Sequence, residues 1–466
     1  MTHYHYLKFE SVEPSLSLSE LSERISAAMG DPTALSACAR ELARHAWSVE
    51  AEKLAAAVGE GLQDWMNDRP LPGSYPLPAA EAAQWGQLAA GWRALAGGHG
   101  RWIETAGRAV TGAVVDALHC LRQVVMVAGL THWPVPEGLW LDVHALYRLG
   151  LEAGCAQKKI RKGFLRHHSR TTLEGEYVQI LLLGLTDPWR QLPREWLALD
   201  SMVEKWAPLL ALRTDGGEGW YVEGSRDLPA EWRQGGEGVR LDLAGLLAFL
   251  DDHEELASSL GRFEWVAHPD TTVSRALLAY WRRIWSHLPE PVAEIPTADV
   301  VELEVGLDAI FDRCRGERMS GVKVVATGRG MWQVTGRPLQ IGDLMAVFDA
   351  GGREITGLGV VSRIEGNGPD DPSVGIQLQA LHGKVVPVAV QPLVRSAQPC
   401  ACQRGLLLHG EGEPTLLLAW QPFREGGVVR LLAGDKTYPV TLTSRRNPAR
   451  DIMACLCGSA AGRFQK

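Results

Sequence analysis

Two periodicities divide the chain. From about residue 17 to 213, apolar residues recur at three- and four-residue spacing, the mark of helices with one buried face. Leu18, Leu21, Ile25 and Met29 open this run, and Ser17 or Ser19 stands where a hydroxyl can accept from the free N–H groups of a helix start. Gly30-Asp31-Pro32 closes that helix, and an alanine-rich helical pattern covers 34–65. Pro70, Pro72, Pro76 and Pro78 forbid a helix among them. Helical spacing returns over 79–96, over 103–130, around Trp140, Val143, His144 and Tyr147, over 173–185 with Thr172 as cap, and over 196–212. Such stripes bury best against one another, which predicts a bundle with Trp140, Trp189, Trp196 and Trp206 as core or interface filler.

Seven glycines between 214 and 238 interrupt this pattern, and Trp220-Tyr221-Val222 reads as a small strand. Helix is expected again over 239–260 and 273–288. After Pro296 the period drops to two. Strands are predicted at 300–306, 322–326, 331–334, 344–348, 357–364, 374–381 and 385–390, with a short helix at 307–313. Further strands follow at 406–408, 415–420, 428–432 and 437–442. Many short strands with close turns predict an antiparallel barrel or sandwich. The expected fold class is therefore α+β. An N-terminal helical bundle (1–213) leads through a mixed, partly helical connection (214–295) to an antiparallel β-barrel (296–395). Residues 396–466 form either an extension of that barrel or a small second β domain.

The β region resembles a known family. Met331-Trp332-Gln333-Val334, then Ile341-Gly342-Asp343-Leu344-Met345-Ala346-Val347, then Gly357-Leu358-Gly359-Val360-Val361-Ser362-Arg363, then Val374-Gly375-Ile376-Gln377-Leu378 is similar to the strand order of a PilZ-type barrel. Tyr177-Val178-Gln179-Ile180-Leu181-Leu182-Leu183 with Asp187-Pro188-Trp189-Arg190 resembles the helical half of a longer bacterial group that joins a helical domain to a divergent PilZ-like end. The resemblance implies a cyclic-di-GMP effector. That ligand carries two phosphates and two guanines, and the arginine fork suits both. The family holds it with an Arg-x-x-x-Arg element before the first strand and an Asp/Asn-x-Ser-x-x-Gly element on the barrel. Neither is present here. The first place reads Pro289-Glu290-Pro291-Val292-Ala293-Glu294-Ile295-Pro296, and the second Thr335-Gly336-Arg337-Pro338-Leu339. Arg313, Arg315, Arg318, Arg329 and Arg337 remain nearby as candidates for a nonstandard anion site, against the alternative of a solvated basic loop.

Composition changes this picture little. The chain has 466 residues, 47 basic and 55 acidic side chains and a net charge of −8, which excludes a general basic coat for nucleic acid. One local exception is Lys158, Lys159, Arg161, Lys162, Arg166 and Arg170, with no acid between Ala153 and Thr172. This patch reads as a solvated interhelical loop, or as a surface for RNA, an acidic partner or nucleotide phosphates. A smaller basic run is Arg445-Arg446-Asn447-Pro448-Ala449-Arg450. Cys400, Cys402, Cys455 and Cys457 form two Cys-x-Cys pairs. Zinc sites usually leave two or more residues between paired cysteines, so alternate thiols pointing into a small core compete with a metal site. His3 and His5 make only a weak metal pair.

No basic segment leads into an apolar one at the N-terminus, and the polar residues Asp116, His119, Arg122 and Gln123 interrupt the 110–130 stretch. Neither a secretory signal nor a membrane span of roughly 20 apolar residues is expected. No complete nucleotide loop, nucleophile elbow or zinc-protease motif occurs. The expectation is a cytoplasmic, non-enzymatic regulatory or adaptor protein without a cofactor. It acts through a protein partner, with cyclic-di-GMP binding lost or altered. The alternatives are a cyclic-di-GMP effector with nonstandard arginines and an RNA-associated factor using the Lys158–Arg170 patch.

Overall fold

The computed structural model describes residues 16–28, single helical positions between 31 and 91, and 103–154, 156–161, 170–191, 193–254, 275–287 and 300–316. It further describes 322–327, 331–335, 339–349, 354–366, 371, 373–392, 402–410, 413–419, 427–433, 436–449 and 452–459. These residues form two compact units. One takes in the chain to Leu246, apart from His132–Pro134 and Trp189–Glu195; the other comprises those two short segments and everything from Leu247 onward.

The first unit is built on helices α1 (Leu18–Ala27), α2 (Ile103–Thr131), α3 (Leu139–Glu152), α4 (Leu173–Leu185) and α5 (Pro193–Trp206). At the start of α1, Ser17 and Glu20 cap reciprocally: the Glu20 N–H donates to the Ser17 hydroxyl at 3.3 Å, and the Ser17 N–H donates to the Glu20 carboxylate at 2.8 Å. Thr172 caps α4 through the Gly175 N–H at 2.9 Å. Over 112–131, α2 is long and apolar enough to cross a membrane despite its polar residues, but that stretch is enclosed by the rest of the unit, as a core helix is. Close approach of large side chains requires glycine at several places, two of them against tryptophan. A Cβ at Gly129 would lie 2.3 Å from the Trp196 indole, and one at Gly184 would lie 2.4 Å from Trp140. Trp196 also donates from Nε1 to the Met126 carbonyl at 3.0 Å, fixing α5 on α2.

Short strands complete this unit and depart from expectation. Helix does not run to 212: it stops at Trp206, and Ala211–Arg213 is strand β3. Gly219–Val222 (β4), Glu231–Arg233 (β5) and Val239–Asp242 (β6) join it in a sheet ordered β3-β6-β4-β5. The helix read over 239–260 therefore begins only at Ala244, as α6 (Ala244–Glu254). Asp227 reaches from this region to α3, whose N-cap Gly138 has no side chain to offer. Its carboxylate accepts from the Gly138 N–H at 2.6 Å and the Trp140 N–H at 2.9 Å. The basic segment is also not a plain loop, since Ile160–Arg161 (β1) pairs antiparallel with Arg170–Thr171 (β2).

After α7 (Arg275–Trp285), the second unit contains two closed six-stranded antiparallel barrels. The first uses β7 (Val300–Val305), β8 (Val322–Thr327), β9 (Met331–Thr335), β10 (Leu344–Phe348), β11 (Ile355–Gly366) and β12 (Ser373–Ala380), in the order β10-β11-β12-β9-β8-β7. The second uses β13 (Lys384–Pro392), β14 (Gln403–His409), β15 (Thr415–Ala419), β16 (Val428–Ala433), β17 (Lys436–Ala449) and β18 (Ile452–Ser459). The break expected at 396 falls instead between Ala380 and Lys384, because β13 pairs with β14 and β16 and not with the first barrel.

Three apolar clusters explain the arrangement. Val301, Leu303, Trp332, Met345, Val347, Val361 and Ile376 fill the first barrel. Val388, Val390, Leu416, Leu418, Leu431, Met453, Cys455 and Cys457 fill the second. The intervening strand positions point outward and meet between the barrels: Leu344, Ala346, Phe348, Leu358 and Val360 from one, Leu406, Leu408, Leu417, Ile452 and Ala454 from the other. Helix α8 (Leu307–Cys314) packs Leu307, Ile310 and Phe311 into this same layer. Both faces of β10 are thus covered, and all five of its residues are buried.

Candidate functional site

The arginines proposed near the barrel are not brought together as a set. Arg318, Arg329 and Arg337 lie outside the described residues. Arg315 is exposed, with its guanidinium 5.8 Å from the centre of the Phe311 ring. Arg313, in the last turn of α8, is buried. It pairs with Glu302, approaches Glu304 at 3.7 Å, and lies over the Phe348 ring at 4.2 Å. The pleat of β7 accounts for this: Val301 and Leu303 face the lumen, so Glu302 and Glu304 face out, beneath α8. Two other barrel arginines also meet carboxylates. Arg404 contacts Asp312 at 2.9 Å, and Arg363 contacts Glu365 at 2.5 Å while lying over Trp189 at 5.1 Å.

The second sequence-predicted patch is placed on the β1–β2 ribbon. Lys158 and Lys159 are exposed just before it, and the register sets Arg161 directly opposite Arg170. Lys162 and Arg166 lie outside the described residues. The base of the ribbon is tied to the start of α4. The Glu174 N–H donates to the Ala156 carbonyl at 3.1 Å, and the Gln157 amide donates to the Glu174 carboxylate at 2.6 Å.

Sequence reasoning saw half of a further polar group. Asp116, His119, Arg122 and Gln123 recur along one side of α2, and all are buried. Their partners come from helices distant in sequence: Gln179 on α4 accepts from Arg122 at 2.7 Å, Asp200 on α5 lies 3.6 Å from Arg122, and buried Glu176 lies 4.0 Å from His119. On α3 and α4, His144 and Tyr177 form another buried pair. The Leu228 carbonyl, 2.8 Å from His144 Nε2, can only accept, so Nε2 carries the proton and Nδ1 accepts from the Tyr177 hydroxyl at 2.7 Å. Burial holds His144 below the usual histidine range and pushes the Tyr147 and Tyr177 hydroxyls upward. All three remain neutral near pH 7 and serve as packing and hydrogen-bonding groups, with the Tyr147 and Tyr177 rings stacked 3.9 Å apart.

Cys455 and Cys457 sit in the core of the second barrel, where burial pushes the Cys457 thiol up to about 12. Cys402 is exposed, and Cys400 lies outside the described residues, as do His3 and His5. Among the described residues no group of three or more His, Cys, Asp or Glu side chains is placed to hold a metal ion.

Comparison with known proteins points to the helical half. Residues 31–215 match the family model described as the N-terminal domain of the cyclic-di-GMP receptor FimW. The cyclic-di-GMP receptor FimW of Pseudomonas aeruginosa is 30% identical over 98 residues, which is 21% of this chain. That match spans only 16% of the length of the relative. No solved structure matches the chain. The family-model match therefore covers the helices and the β1–β2 ribbon.

Proposed function

We propose that this chain is a non-enzymatic regulatory protein of cyclic-di-GMP signalling. In this reading the helical half receives the dinucleotide, while the tandem barrel, the first of PilZ-like type, is a structural module that presents a surface to a protein partner in the cytoplasm. The observation that carries the reading is the match of 31–215 to the N-terminal domain of a protein named as a receptor for that dinucleotide. The barrel supports the division of labour. Arg313 sits where it cross-links β7, β10 and α8, so it acts as a structural tie and does not face a ligand.

The test is calorimetric titration of cyclic di-GMP into the full chain, with GTP as control. Saturable heat with the dinucleotide and none with GTP is expected. Absence of binding at ~100 µM of each component, checked at two temperatures so that a vanishing enthalpy is not mistaken for it, would place any affinity weaker than about −5.5 kcal/mol and reject the reading.

A further inference from the structure

We infer that the second barrel docks an acidic protein partner on its open wall, the outer face of β13, β16 and β17 around Arg430 and Leu432. The inference rests on the partner-binding role given to the tandem barrel above, and adds the surface and the chemistry of what it binds. Three observations carry it.

The first is which wall is open. Outward residues of β14, β15 and β18, among them Leu406, Leu408, Leu417 and Ile452, are taken up in the apolar layer between the barrels. On the other side Val390, Val429, Leu431 and Leu442 line the lumen, so the residues that alternate with them face out. Register joins these into cross-strand rows. Ala389, Leu432 and Thr437 form one row, and Gln391, Arg430 and Pro439 form the next. Arg430, Thr437 and Pro439 are exposed, and the other three are half-buried.

The second is what stands on that wall. A sheet face that meets only water carries polar residues at its outward positions. Here Ala389, Leu432 and Pro439 are apolar, and Arg430 is the one charged residue of the two rows. Few charges, apolar contact area and an arginine are the composition of a protein interface. Nucleic acid would call for several cations or stacking aromatics, which these rows do not supply.

The third is charge. From Lys384 onward the sequence has eleven basic and five acidic side chains, although the whole chain carries −8. Among the described residues no carboxylate meets Arg430, whereas Arg313, Arg363 and Arg404 each have one. An exposed guanidinium on an apolar face is completed by a partner's carboxylate, which it can grip with two N–H groups. The basic excess draws an acidic surface towards this barrel and opposes a second copy of the same wall.

The experiment is photo-crosslinking followed by titration. Benzoylphenylalanine is placed in the full chain at Thr437, on the wall, or at His409, which is exposed at the far end of β14. Capture in cells that express the chain is expected from position 437 and not from 409. The captured protein should carry net negative charge, and after purification it is titrated calorimetrically with the full chain and its variants. Arg430→Glu should weaken binding by more than ~30-fold, because an attraction becomes a repulsion. Leu432→Asp should weaken it by about tenfold or more, by placing a charge in the apolar centre. Lys384→Glu reverses a charge on the same barrel at a lumen-side position of β13 and should leave affinity unchanged. Circular dichroism melts establish that each variant is folded, and Leu432→Ala decides if the aspartate does not fold. No capture from position 437 would overturn the inference. So would capture there of a second copy, a basic protein or a nucleic acid, or wild-type affinity in folded Arg430→Glu and Leu432 variants. None of these results bears on the dinucleotide, and a chain that docks its partner here but binds no cyclic di-GMP rejects the receptor reading alone.

Discussion

Replacing Arg313 tests whether this residue is a structural tie. In Arg313→Met the side-chain volume is roughly kept but the charge is lost. Glu302 and Glu304 then face each other's charge beneath α8, with the Glu304 side chain wholly buried and Glu302 16% exposed. Removing one partner of a buried ion pair costs about 3–5 kcal/mol, because the remaining charge is left without compensation. Loss of the cation over the Phe348 ring adds about 1 kcal/mol. For a unit of this size each kcal/mol moves the melting temperature by about 2–4 °C, so a fall of about 8–24 °C is expected by scanning calorimetry. Adding Glu304→Gln to Arg313→Met should recover part of the loss, since an amide needs no counter-charge, and the cycle should show a coupling above ~1.5 kcal/mol. Cyclic-di-GMP affinity at temperatures below the melt should not change. A melting temperature within ~2 °C of wild type, or a large loss of affinity in a folded Arg313→Met protein, would refute the reasoning.

Other expectations follow from single contacts. His132 is a half-buried residue whose ring Nδ1 is enclosed, and burial lowers its pKa to about 4. The unfolded chain therefore binds the extra proton first, and stability present above pH ~6.5 is lost as pH falls towards 4, by about 3 kcal/mol in denaturant titrations. His132→Asn suits the residue's positive φ of 57° and should flatten that dependence; an unchanged slope would rule His132 out as its source. Asp227→Ala removes the two hydrogen bonds that cap α3 and should lower the urea midpoint, at constant slope, by the equivalent of about 1–3 kcal/mol. A midpoint within error of wild type would mean that water caps the helix as well. In native protein, iodoacetamide should label Cys402 and spare Cys455 and Cys457, as read by peptide mass; fast labelling of Cys457 would contradict its place in the barrel core.

Long-period features were legible in the sequence, and short or doubly covered ones were not. Thr172 could be named as a cap, and Ser17 as one of two candidates with Ser19, because a hydroxyl before an apolar run has few other roles. The alternation of Cys455 and Cys457 correctly put both thiols on one inward face. Ala211–Arg213 and Val239–Asp242 were hidden because each strand is three or four residues long and adjoins a helix whose apolar residues continue its pattern. The barrel boundary was obscured for a related reason: only three residues separate Ala380 from Lys384, so no linker composition marks the change of barrel. Closure of two barrels, and the layer between them, depends on which strands pair, and apolar positions such as Leu344 and Leu358 look the same whether they face a lumen or a neighbour. At the candidate sites, the acid-free stretch was visible but the Arg161–Arg170 register was not. Arg313 was visible as a charge, but its pairing with Glu302 follows from α8 folding back over β7.

The most direct measurement is hydrogen exchange of the full chain with and without saturating cyclic di-GMP, read by peptide mass across both units. The account predicts slowed exchange in peptides of the helical half, within 31–215, with the amides of β7 to β18 unchanged. Protection centred on the first barrel, at α8 and β9 to β11, or no protection anywhere at saturating ligand, would contradict it.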